Sequence, residues 1–258
     1  MTKDIILHRM DSQRQDGKNR YTPNRKRRFD STSILSQEAI NACFDFAYDM
    51  TFGGKGQHRE NRTGGLAIRN NYSIFLDAFH GKLCEFAVLE HLKNEGIEIS
   101  PPDLQPYAKG EWDCIDFTVE GFNVAVKSSK YFANLLLLET ADWDMNGKYI
   151  PTPDYNVDFF ILVRLKDPVI TNPSSFNRND VPIEELRRTL GWNPQFYYDF
   201  GGVISAEHLN VMITNNFVIK QGDSLASTIM DADNYYCQTG DMDTINDFIC
   251  YILNNRGY

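Results

Sequence analysis

Two oppositely charged residues, Asp116 and Lys127, lie in a segment whose pattern is typical of a β-hairpin. Glu120–Gly121 fits a two-residue turn, because glycine readily adopts the positive φ that such a turn needs. Counting outward from the turn places Asp116 opposite Ala125, on the same face as Lys127. This pair predicts phosphodiester hydrolysis, in which the carboxylate binds Mg²⁺ and the lysine positions water and offsets charge on the phosphate.

The opposite face of the predicted hairpin is entirely apolar and should pack on the core. It comprises Ile115, Phe117, Val119, Phe122, Val124 and Val126. A register slip of one residue would reverse this side assignment. An ordinary cross-strand ion pair, which contributes little at a surface, is the alternative interpretation of Asp116 and Lys127.

A third charged residue, Glu85, lies in the segment with the clearest helical pattern, residues 72–95, which Gly96 should end. On a helical wheel Glu85 neighbours Gly81, Lys82, Val88 and Leu89, which form a mostly apolar arc. A carboxylate on such an apolar arc is costly unless a cation compensates it. The sequence therefore predicts that Glu85 reaches a metal ion or a lysine, with a glutamate at the rim of the core as the alternative.

PD-(D/E)XK nucleases, which include type II restriction endonucleases, have a helix with Glu, then a strand with Asp, then a strand ending in (D/E)xK. The layout of this chain resembles theirs. The resemblance covers roughly residues 75–165, through GKLCEFAVLEHL, WDCIDF, FNVAVKSS and DFFILVRL. It implies Mg²⁺-dependent, sequence-specific cleavage of double-stranded DNA by a homodimer. It also implies that Glu85, Asp116 and Lys127 are catalytic, with Asp116 and Glu85 binding the metal.

The chain departs from the family pattern at two positions. Ile115 stands where proline usually precedes the aspartate, and Ala125 occupies the position of the second acid. The missing carboxylate is expected from Glu85, with Glu139 as the alternative. Two further residues are candidate metal ligands: Asn123 through its carbonyl, and Asp113, which in the predicted register faces away from Asp116.

Basic side chains in two segments are candidates for DNA contacts. One is the Arg25–Arg28 cluster, and the other is the glycine-rich segment Phe52–Arg69, where glycine allows close backbone approach. A solvated tail and a mobile loop are the respective alternatives. The predicted DNA-binding residues are Arg27, Arg28, Lys55, His58, Arg59 and Arg62.

The order of predicted elements indicates an α/β (α+β) fold. We expect a restriction-endonuclease-like mixed β-sheet core flanked by helices, with additional C-terminal α/β elements. Residues 1–34 are expected to form a flexible basic arm, and residues 35–258 a single endonuclease domain. Within that domain, residues 72–166 are the expected catalytic core and residues 167–258 carry recognition and dimerisation elements.

The composition limits the classes of function. Taken alone, the formal net charge of −9 disfavours a DNA partner. However, residues 1–30 hold nine Lys or Arg against four Asp, so this end of the chain can face an anion. Five cysteines without metal-binding spacing suggest reduced thiols and a cytoplasmic location. We expect no membrane span and no organic cofactor. A repair or mobile-element nuclease, and a non-catalytic DNA-binding or immunity protein, remain alternative functions.

Overall fold

The structure is a computed structural model that describes residues 4–53, 70–105, 115–154, 156–167, 176, 178–191 and 193–255. Within these ranges it contains five α-helices and three β-sheets. The protein is therefore a mixed α/β protein, consistent with the α+β class expected from the sequence.

The helices begin and end where local side chains favour it. Ser36 caps α1 by accepting the N–H of Ala39, and Asn70 caps α2 by accepting the N–H of Ser73. Gly96, with φ of 75°, follows the end of α2 as predicted. The helices are α1 (Gln37–Thr51), α2 (Asn71–Asn94), α3 (Ile183–Thr189), α4 (Ala206–Thr214) and α5 (Ile245–Asn254).

The twelve strands in the described residues form three sheets. The strands are β1 (Asp11–Gln15), β2 (Lys18–Thr22), β3 (Ser33–Ile34), β4 (Phe117–Val119), β5 (Phe122–Lys130), β6 (Leu135–Glu139), β7 (Phe159–Lys166), β8 (Tyr197–Ser205), β9 (Val218–Ile219), β10 (Ser224–Leu225), β11 (Thr228–Ile229) and β12 (Asn234–Gln238). The central five-stranded sheet has the order β3-β8-β7-β5-β4, in which only β5 and β7 are parallel. The others have the orders β6-β12-β9 and β1-β2-β10-β11.

The central sheet separates two hydrophobic clusters. On its helix-covered face, Val124, Ile161 and Val163 pack against α1, α2 and α5. On its sheet-covered face, Ala125 and Leu162 pack against β6, β12 and α4. Both faces of β7 are therefore buried along nearly all of its length, whereas β5 is buried only at Val124 and Ala125. A polar side chain in these buried stretches needs a specific partner.

The predicted hairpin turn is confirmed. Glu120 and Gly121 have φ values of 50° and 87°, the signs that a type I′ turn requires. Val119 pairs with Phe122, Thr118 with Asn123, and Phe117 with Val124, in the predicted register. The apolar face of the hairpin packs on the helix-covered side as expected.

The predicted register fails at Asp116. The ladder ends at Phe117 opposite Val124, and the Asp116 N–H also donates to the Val124 carbonyl at 2.9 Å. Two residues that share one partner form a β-bulge, which re-aims the side chain of the extra residue. Asp116 therefore does not face Ala125, and its Oδ2 instead accepts the N–H of Val126 at 2.6 Å.

The expected flexible arm over residues 1–34 is wrong for the part that the structure describes. Strands β1 and β2 form a hairpin around Asp16–Gly17, and β2 pairs with β10. Further along, the buried Arg164 donates to the carbonyls of Arg27 and Arg28 while its Nε donates to Asp199 at 2.7 Å. Buried hydrogen bonds thus hold this segment against the central sheet.

None of the helices in the described ranges is both long enough and apolar enough to cross a membrane. The longest, α2, buries an apolar side against α1 and the central sheet but carries charged residues along its length.

Candidate active site

Glu85 lies on α2 among buried apolar side chains and is 8% exposed. Its Oε2 accepts a hydrogen bond from the Lys82 ammonium at 2.7 Å. The prediction that a cation would compensate this carboxylate is confirmed for the lysine alternative. A nearly buried carboxylate retains its charge only when a cation or hydrogen-bond donor stabilises it. Glu85 and Lys82 therefore interact strongly.

The Asp116 carboxylate also acts on Glu85. The pKa of Glu85 is raised to about 7, first because burial penalises the charged form and second because Asp116 repels it. Lys82 opposes both effects. The bulge at Asp116 and the packing of α2 on β5 therefore bring together two of the three predicted catalytic residues.

Glu85 and Asp116 are the side chains of this junction that could hold a metal ion. Mg²⁺ in proteins is held by one or two carboxylates, with water and phosphate oxygens completing the octahedron. A divalent ion between Glu85 and Asp116 would remove the repulsion that raises the Glu85 pKa. The described residues contain no group of three or more His, Cys, Asp or Glu side chains able to hold a metal.

Lys127 does not share this location. It pairs with Leu162 in the parallel β5–β7 ladder, and Leu162 and Ala125 both lie in the cluster on the sheet-covered face. Because side chains alternate along a strand, Lys127 leaves β5 on the side away from α2. No described residue forms a hydrogen bond or ion pair with Lys127, and the predicted common face with Asp116 is not found.

Burial explains the missing second acid. Ala125 is 1% exposed and packs beneath the three-stranded sheet, where a carboxylate would have no water. Glu139 ends β6 in that other sheet, outside the junction of α2 and β5. Asn123 uses its amide to donate to the Asn156 carbonyl, beside the hairpin turn.

The predicted DNA-binding residues divide into three groups. The Arg27 guanidinium donates to the Gly201 carbonyl at 3.2 Å and to the Met242 carbonyl at 3.0 Å, so its contact is internal and not with phosphate. Arg28 is exposed. Lys55, His58, Arg59, Arg62 and also Asp113 lie outside the described residues.

The sequence did not reveal two partnerships of α2. The first is the ion pair between Lys82 and Glu85, which lie three residues apart on one helix. Their spacing is a signal for such a pair that the prediction did not use. His80 Nε2 lies 3.3 Å from Asp167 Oδ2 at the end of β7. Burial lowers the pKa of His80 and raises that of Asp167. Their sequence separation gave no signal for this contact.

Comparison of the chain with protein-family profiles, with curated proteins and with solved structures gives no match.

Proposed function

We propose that the protein is a Mg²⁺-dependent endonuclease that cleaves DNA through Glu85 and Asp116, built on a restriction-endonuclease-like core. The observation that carries this proposal is the placement of Glu85 and Asp116 at the junction of α2 and the β4–β5 hairpin, where Asp116 acts on the pKa of Glu85 and Lys82 contacts Glu85. A helix carboxylate beside a hairpin aspartate is the arrangement that the resemblance to PD-(D/E)XK nucleases implies.

Each side chain has a separate task in this scheme. Asp116 keeps one oxygen on the Val126 amide, which fixes the direction of its carboxylate. Glu85 supplies the second carboxylate, and Lys82 favours its ionised form. A bound Mg²⁺ would supply Lewis acidity toward the scissile phosphate and lower the pKa of a bound water.

Lys82 is our first candidate for the lysine of the site. Its ammonium lies at the carboxylate pair and is able to offset charge that develops on the phosphate. Lys127 is the alternative, because its long side chain leaves β5 one residue beyond Val126. Glu139 is the alternative for the second carboxylate.

Sequence-specific cutting of double-stranded DNA, as by a type II restriction enzyme, is the first form of the proposal. Recognition would then fall to Arg28 and to the segment with Lys55, His58, Arg59 and Arg62. A homodimer is expected, since two copies related by a twofold axis cut both strands of a palindrome. We assign the enzyme to the cytoplasm on its unpaired cysteines.

A repair or mobile-element nuclease with weak sequence specificity is the second form. The internal contacts of Arg27 favour it, because they remove one predicted base or phosphate contact. A non-catalytic DNA-binding or immunity protein is a third possibility, which the acidic net charge favours.

Digestion of a supercoiled plasmid with Mg²⁺, Ca²⁺ or EDTA tests these forms. The restriction form predicts discrete bands with Mg²⁺ and none with EDTA. A smear or nicking without fixed sites supports the second form. Intact plasmid under every condition, with Asp116→Asn indistinguishable from wild type, would overturn the proposed activity.

A further inference from the structure

The turn that follows β5 exposes two adjacent aromatic rings. Tyr131 is 43% exposed and Phe132 is 65% exposed. They are the only aromatic side chains in the exposed class within the described part of the chain. Isolated exposed apolar residues are common and need no explanation, but two neighbouring rings on one turn form a surface.

The backbone of this turn is held in place. The Tyr131 N–H donates to the Leu165 carbonyl at 2.8 Å, and the Ala133 N–H donates to the Lys130 carbonyl at 2.8 Å. The Asn134 amide group donates to the Phe132 carbonyl at 3.1 Å. A ligand that stacks on these rings would therefore meet a preformed surface and order little of the chain on binding.

Cations and a third ring surround the exposed pair. The Phe29 ring lies 5.8 Å from that of Tyr131, in an edge-on arrangement. The Lys166 ammonium lies 5.8 Å from the Tyr131 ring centre. Arg28, next to Phe29 in the chain, is exposed. We call this surface the aromatic turn; it comprises Arg28, Phe29, Tyr131, Phe132 and Lys166.

The chemistry of the aromatic turn selects its ligand. Aromatic rings stack on the flat faces of bases, while lysine and arginine bind the phosphates between them. Such a combination favours single strands, because the bases of a continuous duplex are already stacked on each other. The nearby acids Asp167 and Asp199 already contact His80 and Arg164, which leaves the cations Arg28 and Lys166 to favour an anionic occupant over an apolar peptide.

We propose that the aromatic turn binds an unpaired segment of DNA, so that the preferred substrate is a duplex with a single-stranded extension. This inference deepens the proposed nuclease function and rests on it for the meaning of "substrate". Tyr131 lies five positions along the chain from Val126, whose N–H binds the Asp116 carboxylate. That is about 16 Å at 3.3 Å per residue, which spans a few nucleotides of a strand.

Binding in EDTA tests the inference without any cleavage. Fluorescence anisotropy would compare a blunt duplex, the same duplex with a thymidine tail, and the same duplex with an abasic tail. We expect the thymidine tail to increase affinity about tenfold or more and the abasic tail to add much less, because it offers phosphates without bases to stack.

Matched variants assign the effect to the rings. The double variant Tyr131→Ala/Phe132→Ala should lose the advantage of the thymidine tail, while Tyr131→Phe keeps it. Met145→Ala and Ile150→Ala remove exposed apolar side chains elsewhere and should change nothing. Lys166→Gln should lower the salt dependence of tail binding by roughly 0.7 in the log–log slope.

Equal affinity for blunt and thymidine-tailed duplexes would overturn the inference, and so would full tail binding by the Tyr131→Ala/Phe132→Ala variant. Plasmid cleavage separates this failure from that of the proposed function. Cleavage without a preference for tailed DNA would contradict only the binding role proposed for the aromatic turn. A preference for tailed DNA without cleavage in Mg²⁺ would support the proposed binding site and contradict the proposed nuclease activity.

Discussion

The Asp116 carboxylate accepts the backbone N–H of Val126 at 2.6 Å, across the edge that β5 presents beyond the end of β4. This bond replaces the ladder pairing that the hairpin would otherwise continue. It turns the side chain of Asp116 out of the regular alternation, toward the strand edge near α2, where it interacts with Glu85. The bulge is thus the local feature that creates the carboxylate pair.

The two lysines of the proposed site can be separated by substitution. Lys82→Met removes the ammonium that lies 2.7 Å from Glu85, and we expect cleavage to fall about 100-fold or more. The Lys127 side chain lies on the other face of the sheet, so cleavage by Lys127→Met should fall less than tenfold. Initial rates of plasmid cleavage with Mg²⁺ measure both. A larger loss in Lys127→Met would return the catalytic role to Lys127.

Glu85 predicts a pH-dependent stability in the absence of metal. Its pKa is about 7 in the folded protein and near 4.5 when unfolded, so between these values the folded state binds more protons. The contribution of Glu85 to the free energy of unfolding therefore falls as pH rises from about 4.5 to 7. Glu85→Gln should gain stability relative to wild type across this window, by on the order of 1–3 kcal/mol.

Urea unfolding in EDTA at pH 5 and pH 8 measures this difference. The groups that act on Glu85 are Asp116, Lys82 and Asp103, with the Cys43 thiol of α1 also near it. Glu95→Gln, exposed at the end of the same helix, is the matched control for the substitution itself. A stability difference between Glu85→Gln and wild type that does not change with pH would contradict the raised pKa.

An acid at position 125, where PD-(D/E)XK nucleases carry their second acid, should not help this protein. Ala125→Glu would place a carboxylate beneath the three-stranded sheet, at a cost of several kcal/mol, on the order of 2–5. Thr118→Glu puts the same side chain at an exposed position of the hairpin and should change stability by less than about 0.5 kcal/mol. Thermal unfolding compares them. Normal stability with increased cleavage in Ala125→Glu would show that position 125 belongs to the site.

Loss of the Arg164–Asp199 ion pair should release the N-terminal segment, because Arg164 also binds the carbonyls of Arg27 and Arg28. We call this set of contacts the buried anchor. Asp199→Asn leaves the fully buried Arg164 without its carboxylate and should destabilise the protein by about 3 kcal/mol. Asp45→Asn removes a surface ion pair with Arg187 and should cost less than about 1 kcal/mol. Limited trypsin digestion should cut faster at Arg25–Arg28 in Asp199→Asn. Unchanged digestion would mean that the anchor does not hold the segment.

Local patterns predicted much of the fold. The Glu120–Gly121 turn and the end of α2 before Gly96 both follow from residues close in sequence. The β1–β2 hairpin was missed although Asp16–Gly17 is a strong turn signal, because the basic composition around it suggested a tail.

The candidate site was only partly predictable, since its arrangement depends on contacts between distant residues. The bulge at Asp116 cannot be read from the alternation of the hairpin, and it moved the carboxylate relative to Lys127. The sheet that covers Ala125 is built from β6, β9 and β12, whose pairing leaves no local pattern near residue 125. The internal contacts of Arg27 likewise depend on residues more than 170 positions away.

Direct metal binding tests the central claim, that Glu85 and Asp116 together hold a divalent ion. Mn²⁺, which prefers the same oxygen ligands as Mg²⁺, can be titrated into the full chain and its free fraction followed by electron paramagnetic resonance. We predict one site in wild type and in Glu139→Gln, with affinity reduced by more than about tenfold in Glu85→Gln and in Asp116→Asn. Wild-type affinity in either of the last two variants would contradict the claim.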